Sequence, residues 1–67
     1  MEEINEYIVI DPKIHVASAT LKGTRICTDN IAGMHAAGDS VEFLARLFHL
    51  SHAQVKACIE YESQTDR

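Results

Sequence analysis

The sequence has no tryptophan, a single proline, three glycines and only two cysteines. Cys27 and Cys58 could close at most one disulfide, and no recognisable set of zinc ligands stands near them, so the staples common in very small domains are missing. The scattered glycines build no phosphate-cradling loop. No stretch approaches the roughly 20 apolar residues that span a bilayer. Positive charge is scarce too. Six lysines and arginines against ten acidic residues leave a formal net charge of -4, which excludes coating nucleic acid by bulk electrostatics but leaves room for a local basic face. The acidic start (Glu2, Glu3, Glu6) lacks the basic and apolar regions of a secretory leader, and the expectation is a cytoplasmic protein with both thiols reduced.

What is there suffices for one small domain over residues 1–67. A chain of 67 residues buries only about 60% of its unfolded surface, and its core is marginal by itself. Oligomerisation is the remaining route to stability, so a homodimer is expected.

Residues 1–6 are polar and are expected to fray. Tyr7, Ile8, Val9 and Ile10 form a β-branched and aromatic run ended by Asp11-Pro12, which reads as a strand entering a turn. Apolar groups fall on both faces, so this strand needs cover on both sides or a partner chain. Tyr7, Ile8, Val9 and Ile10 are therefore the candidate dimer interface. Residues 19–27 read as two short extended pieces around Lys22-Gly23, with Gly23 supplying the positive φ of a tight turn. Residues 7–27 thus make a small β element.

From Thr28 the pattern turns helical. Thr28, Asp29 or Asn30 can cap a first helix with Ile31, Met34 and His35 inward, and Gly38 sits where a left-handed C-terminal cap is wanted. Ser40 caps a second helix with Val41, Leu44, Leu47 and Phe48 on one stripe. Ser51 and Gln54 form a capping box at the start of a third, whose inward stripe is Val55, Cys58 and Ile59. A three-helix unit over residues 28–62 and a frayed tail over 63–67 follow, the polar stretch from Glu62 onward reading as a fraying end. The fold class expected is mainly α, with a short N-terminal β element.

The most specific local pattern is Ala45, then His49-Leu50-Ser51, then Val55. A helix-turn-helix needs a small residue where its second helix crosses the first, a turn residue tolerating positive φ, an apolar plug, and an apolar return on the second helix. Ala45, His49, Leu50 and Val55 fill those roles in order, and histidine is among the non-glycine residues enriched at positive φ. The outward residues of the last helix are His52, Ala53, Lys56, Ala57 and Glu60. His52 and Lys56 are the candidate nucleic-acid-binding residues, yet Glu60 would face phosphate unfavourably and base readout normally wants arginine, asparagine or glutamine. A solvated helix face in a packing unit fits the same residues equally well.

Two chemical readings are set aside. His49-x-x-His52 with Cys58 could suggest a metal, but His49 is needed in the turn and zinc wants a convergent fourth group. Cysteines with histidines could suggest a nucleophile and base, but so thin a core offers little room for a pocket of about 300 Å³. No catalytic residue, metal ligand or cofactor is expected, and Cys58 reads as a small buried hydrophobe.

Ile10-Asp11-Pro12, Leu21-Lys22-Gly23-Thr24-Arg25-Ile26, Ala36-Ala37-Gly38-x-Ser40-Val41 and His49-Leu50-Ser51 together resemble the small bacterial family known as domain of unknown function 433. The resemblance covers residues 7–61, and Val16 and Ala17 depart from it where the family usually carries Gly-Gly. It implies a homeodomain-like three-helix fold preceded by strands. It also implies the role of an antitoxin partner to a PIN-like ribonuclease toxin, repressing its own operon. Gly23 would be the turn glycine. Arg25 would be either a structural anchor bonding nearby carbonyls or a contact to an acidic partner. The competing function is a protein-interaction module that keeps the helix-turn-helix shape without binding DNA. A stand-alone transcription factor is disfavoured by the acidic charge.

Overall fold

The computed structural model describes residues 2–13 and 19–65. Val16 and Ala17 lie outside them. Three strands, β1 (Glu2–Glu3), β2 (Ile8–Ile10) and β3 (Ala19–Leu21), precede three helices, α1 (Thr28–Ala36), α2 (Val41–Phe48) and α3 (His52–Thr65). The fold is mainly α with an N-terminal antiparallel sheet, as the sequence pattern indicates.

The sheet runs β1-β2-β3. Glu2 and Glu3 pair with Ile10 and Val9, so the N-terminal residues expected to fray form an edge strand instead. Their local signal is poor because the turn that returns them depends on one side chain: Asn5 Oδ1 accepts from the backbone N–H of Tyr7 at 2.8 Å and of Ile8 at 3.0 Å. On the other side Ile8, Val9 and Ile10 pair with Leu21, Thr20 and Ala19. This corrects the dimer-interface assignment of Tyr7, Ile8, Val9 and Ile10. β2 is the middle strand with both edges paired, Ile8 and Val9 are buried within the chain, and Tyr7 and Ile10 pack half-buried on its core.

After β3 the chain turns at Leu21–Thr24, where the Thr24 N–H donates to the Leu21 carbonyl at 3.0 Å and Gly23 takes φ 79°. The Thr24 hydroxyl donates to the same carbonyl and accepts from the Ile26 N–H, which returns Cys27 to bridge Thr20. The two extended pieces around Lys22-Gly23 are therefore present.

Cys27 stands at the N-cap of α1, and among the described residues no side chain caps that end. Thr28 is not the cap the sequence suggests. It is the first helical residue, and its buried hydroxyl donates to Glu62 Oε2 on α3 at 2.6 Å. The far end closes as expected: Gly38 has φ 122°, its N–H donates to His35 O, and the Asp39 N–H donates to Met34 O, the paired bonds of a Schellman motif. His35 is exposed rather than inward, because its ring turns out to donate from Nδ1 to the Asp39 carbonyl at 2.9 Å.

Ser40 caps α2 through the Phe43 N–H at 3.0 Å. Ser51 and Gln54 cap α3 reciprocally, at 2.8 and 3.1 Å. α3 runs on through Thr65 rather than fraying from Glu62, since Glu62 is engaged by Thr28. The core gathers Ile8, Ala19 and Leu21 from the sheet with Ile31, Leu44, Ala45, Val55 and Cys58 from the helices. Each large side chain fully buried there contributes roughly 1.5–3 kcal/mol. Leu47, expected on the inward stripe, is 49% exposed.

Candidate nucleic-acid interface

The helix-turn-helix roles assigned from the sequence are filled by local structure. His49 adopts φ 59° and ψ 46°, the left-handed conformation that stops α2. The carbonyl of Ala45 accepts the N–H of His49 and, at 2.8 Å, also that of Leu50. Ala45 is buried, Leu50 packs partly buried against the core, and Val55 is fully buried on α3. Small residue, left-handed turn, apolar plug and apolar return therefore work as one unit, and they aim the opposite face of α3 outward.

On that outward face His52, Ala53, Lys56 and Glu60 are exposed, and Ala57 is half-buried. His52 and Lys56 stand one turn apart on α3. Two open surface grooves run along Lys56. One separates α3 from the β1–β2 turn and is lined by Glu6, Tyr7, Ala53 and Glu60 as well as Lys56. The other, toward α1 and α2, is lined by His35, Val41, Ile59 and Glu60 with Lys56. Lys56 thus shares both grooves with Glu60 and one with Glu6, and this acidic surround lowers the positive potential a phosphate would meet. Glu6 is 50 residues before Lys56, so only the tertiary structure brings it there.

Among the described residues the remaining positive charge is dispersed. Lys22 is bonded to Glu3 at 3.2 Å and Arg46 to Glu42 at 3.2 Å. Arg46, which the sequence reading did not single out, lines a shallow depression with Leu50, Ser51 and His52, and so joins the N-terminal end of α3. A basic residue in the last turn of the helix before the turn was the available signal. Arg25 is exposed in the loop between β3 and α1, and among the described residues its guanidinium donates no hydrogen bond. Arg25 does not line the grooves beside Lys56.

Both thiols are buried. Burial and, second, the Glu62 carboxylate push Cys58 up to about 11, against a smaller opposing effect of a backbone hydrogen bond. Burial, then Asp29, raises Cys27. Such thiols stay protonated near neutral pH and make poor nucleophiles. Among the described residues no group of three His, Cys, Asp or Glu converges to hold a metal ion, and no helix is long and apolar enough to cross a membrane.

Compared with known proteins, the chain matches the family described as Protein of unknown function (DUF433) over residues 8–61. No curated protein and no solved structure matches it.

Proposed function

The chain belongs to the DUF433 family, and from that premise we propose a non-enzymatic, antitoxin-like regulator. It works as a homodimer, binds a PIN-like ribonuclease toxin, and approaches operator DNA through α3 only as part of that complex. The observation that carries this reading is the left-handed His49 turn, which holds α2 and α3 in helix-turn-helix order and leaves His52 and Lys56 exposed at the start of α3. The toxin enters from the resemblance. Its place in the reading is supported by the charge of the face, because Glu6 and Glu60 beside Lys56 leave too little cation for tight binding by this chain alone. Exposed Arg25 is the residue assigned to an acidic patch on the partner.

The test is a titration of duplex DNA taken from beside the gene, with wild type and Lys56→Glu, with and without a co-expressed PIN-like ribonuclease. Wild type alone binds weakly, with a log-log salt slope of roughly -2 to -4 per dimer at about 0.9 per phosphate contact. The ribonuclease strengthens binding, and Lys56→Glu weakens it by about 1–3 kcal/mol. Undiminished binding by folded Lys56→Glu would remove α3 from the interface. The second reading, a protein-interaction module without DNA binding, is favoured by the acidic surround of Lys56, and no DNA binding in any combination would select it.

A further inference from the structure

α2 carries two large apolar side chains that the core does not use. Phe43 and Leu47 are 50% and 49% exposed, one turn apart, while Leu44 and Ala45 between them are buried. Neither belongs to the core cluster or to the side chains packed around it. Alongside this apolar ridge runs a second ridge, Glu42 and Arg46, also one turn apart and bonded to each other at 3.2 Å with both side chains largely exposed.

We propose that this face of α2 is a self-association surface, covered by α2 of a second copy lying antiparallel across a two-fold axis. Such an axis stands perpendicular to the plane of the two helices and keeps each ridge on its own side, so that apolar residues meet apolar residues. Reversing the helix direction sets Glu42 against the partner's Arg46, and Arg46 against the partner's Glu42. In a parallel arrangement the two-fold axis runs along the helices and sets the apolar ridge of one copy against the charged ridge of the other. The charge pattern is therefore complementary to itself in one direction only, and that selects both the occupant and its orientation. A different protein partner would need no such alternation, since a patch of one sign would serve. The contact replaces the one expected at Tyr7–Ile10, where both edges of β2 are paired and Ile8 and Val9 are buried within the chain. Two half-exposed apolar side chains per copy make a small interface, so the self-association is weak.

The inference rests on the homodimeric part of the proposed function alone. Its experiment measures self-association without DNA or ribonuclease, so its failure leaves the role of α3 to be judged separately. Sedimentation equilibrium of the full chain from low micromolar to about millimolar concentration should show 7.5 kDa monomers passing to dimers. Leu47→Asp should abolish the dimer while circular dichroism and the melting transition of the monomer are retained, because the side chain is half exposed. Glu42→Arg and Arg46→Glu, each alone, should weaken self-association roughly tenfold or more through like-charge contacts. Mixed together, the two variants should form a heterodimer as tight as wild type. A monomer throughout the concentration range overturns the proposal. So does a dimer that survives Leu47→Asp, or a mixture of the two charge variants that associates no better than either one.

Discussion

Thr28 and Glu62 stand 34 residues apart in the chain and are joined by a 2.6 Å hydrogen bond from Oγ1 to Oε2. It ties the first turn of α1, which has no side-chain cap of its own, to α3 beyond the point where the polar sequence suggests fraying. α1 packs chiefly on α3, so this bond closes the open end of the principal helix pair.

Thr28→Val keeps the shape of the side chain and removes the donor to a charged acceptor. It is expected to cost about 1.5–3 kcal/mol, and more if the carboxylate is left without water. Urea denaturation followed by circular dichroism measures it. A loss below about 0.5 kcal/mol would show that Glu62 finds an equal partner elsewhere.

Thr20, in the centre of β3, is fully buried, and among the described residues its hydroxyl has no hydrogen-bond partner. Thr20→Val exchanges that hydroxyl for a methyl in a strand position that suits β-branched residues, and should stabilise the protein by about 1 kcal/mol. A higher urea midpoint at unchanged slope is the expected result.

The left-handed turn makes its own demand on residue 49. His49→Gly relieves the Cβ crowding at φ 59° and, after the entropy of glycine is set against that, should be neutral or stabilising by up to about 1 kcal/mol. His49→Val should destabilise by about 1–2 kcal/mol or more, because β-branched residues are poorly accommodated at positive φ. Thermal melts of the two variants should fall on opposite sides of wild type or, for glycine, coincide with it.

The buried thiol of Cys58 gives stability a dependence on alkaline pH. Its ordinary value is 9.0 and the folded value is about 11, so the folded state holds the proton more tightly than the unfolded chain. This contribution is fully present below pH 9 and declines as pH rises toward 11, where the loss reaches about 2–3 kcal/mol. Stability measured between pH 8 and 11 should fall more steeply for wild type than for Cys58→Ala, which lacks the titrating group. Parallel curves would contradict this account.

Much of the chain was legible because it depends on neighbours in sequence. The Ser40 cap, the Ser51–Gln54 capping box, the Gly38 termination and the left-handed His49 each involve a few consecutive residues, whose backbone requirements particular side chains meet. The stripe of Val55 and Cys58 was legible for the same reason, since helical period alone places them on one face. By these local rules the sequence determined three helices, the C-terminal end of α1, the cap and end of α2, the start of α3, the turn between α2 and α3, and the exposure of His52 and Lys56.

Only the tertiary structure decided which faces those elements would use. β2 became a middle strand because an asparagine-held turn brings Glu2–Glu3 back beside it, and that removed the edge on which the dimer interface was expected. Leu47 and His35 left the core because burial depends on where the neighbouring helices lie, and the helical period fixes an angle around an axis without fixing what stands opposite. The extension of α3 past Glu62 and the acidic surround of Lys56 follow the same logic. Each joins residues far apart in the chain, Thr28 with Glu62 and Glu6 with Lys56, and contacts of that kind are set by the packing of whole elements rather than by any local pattern.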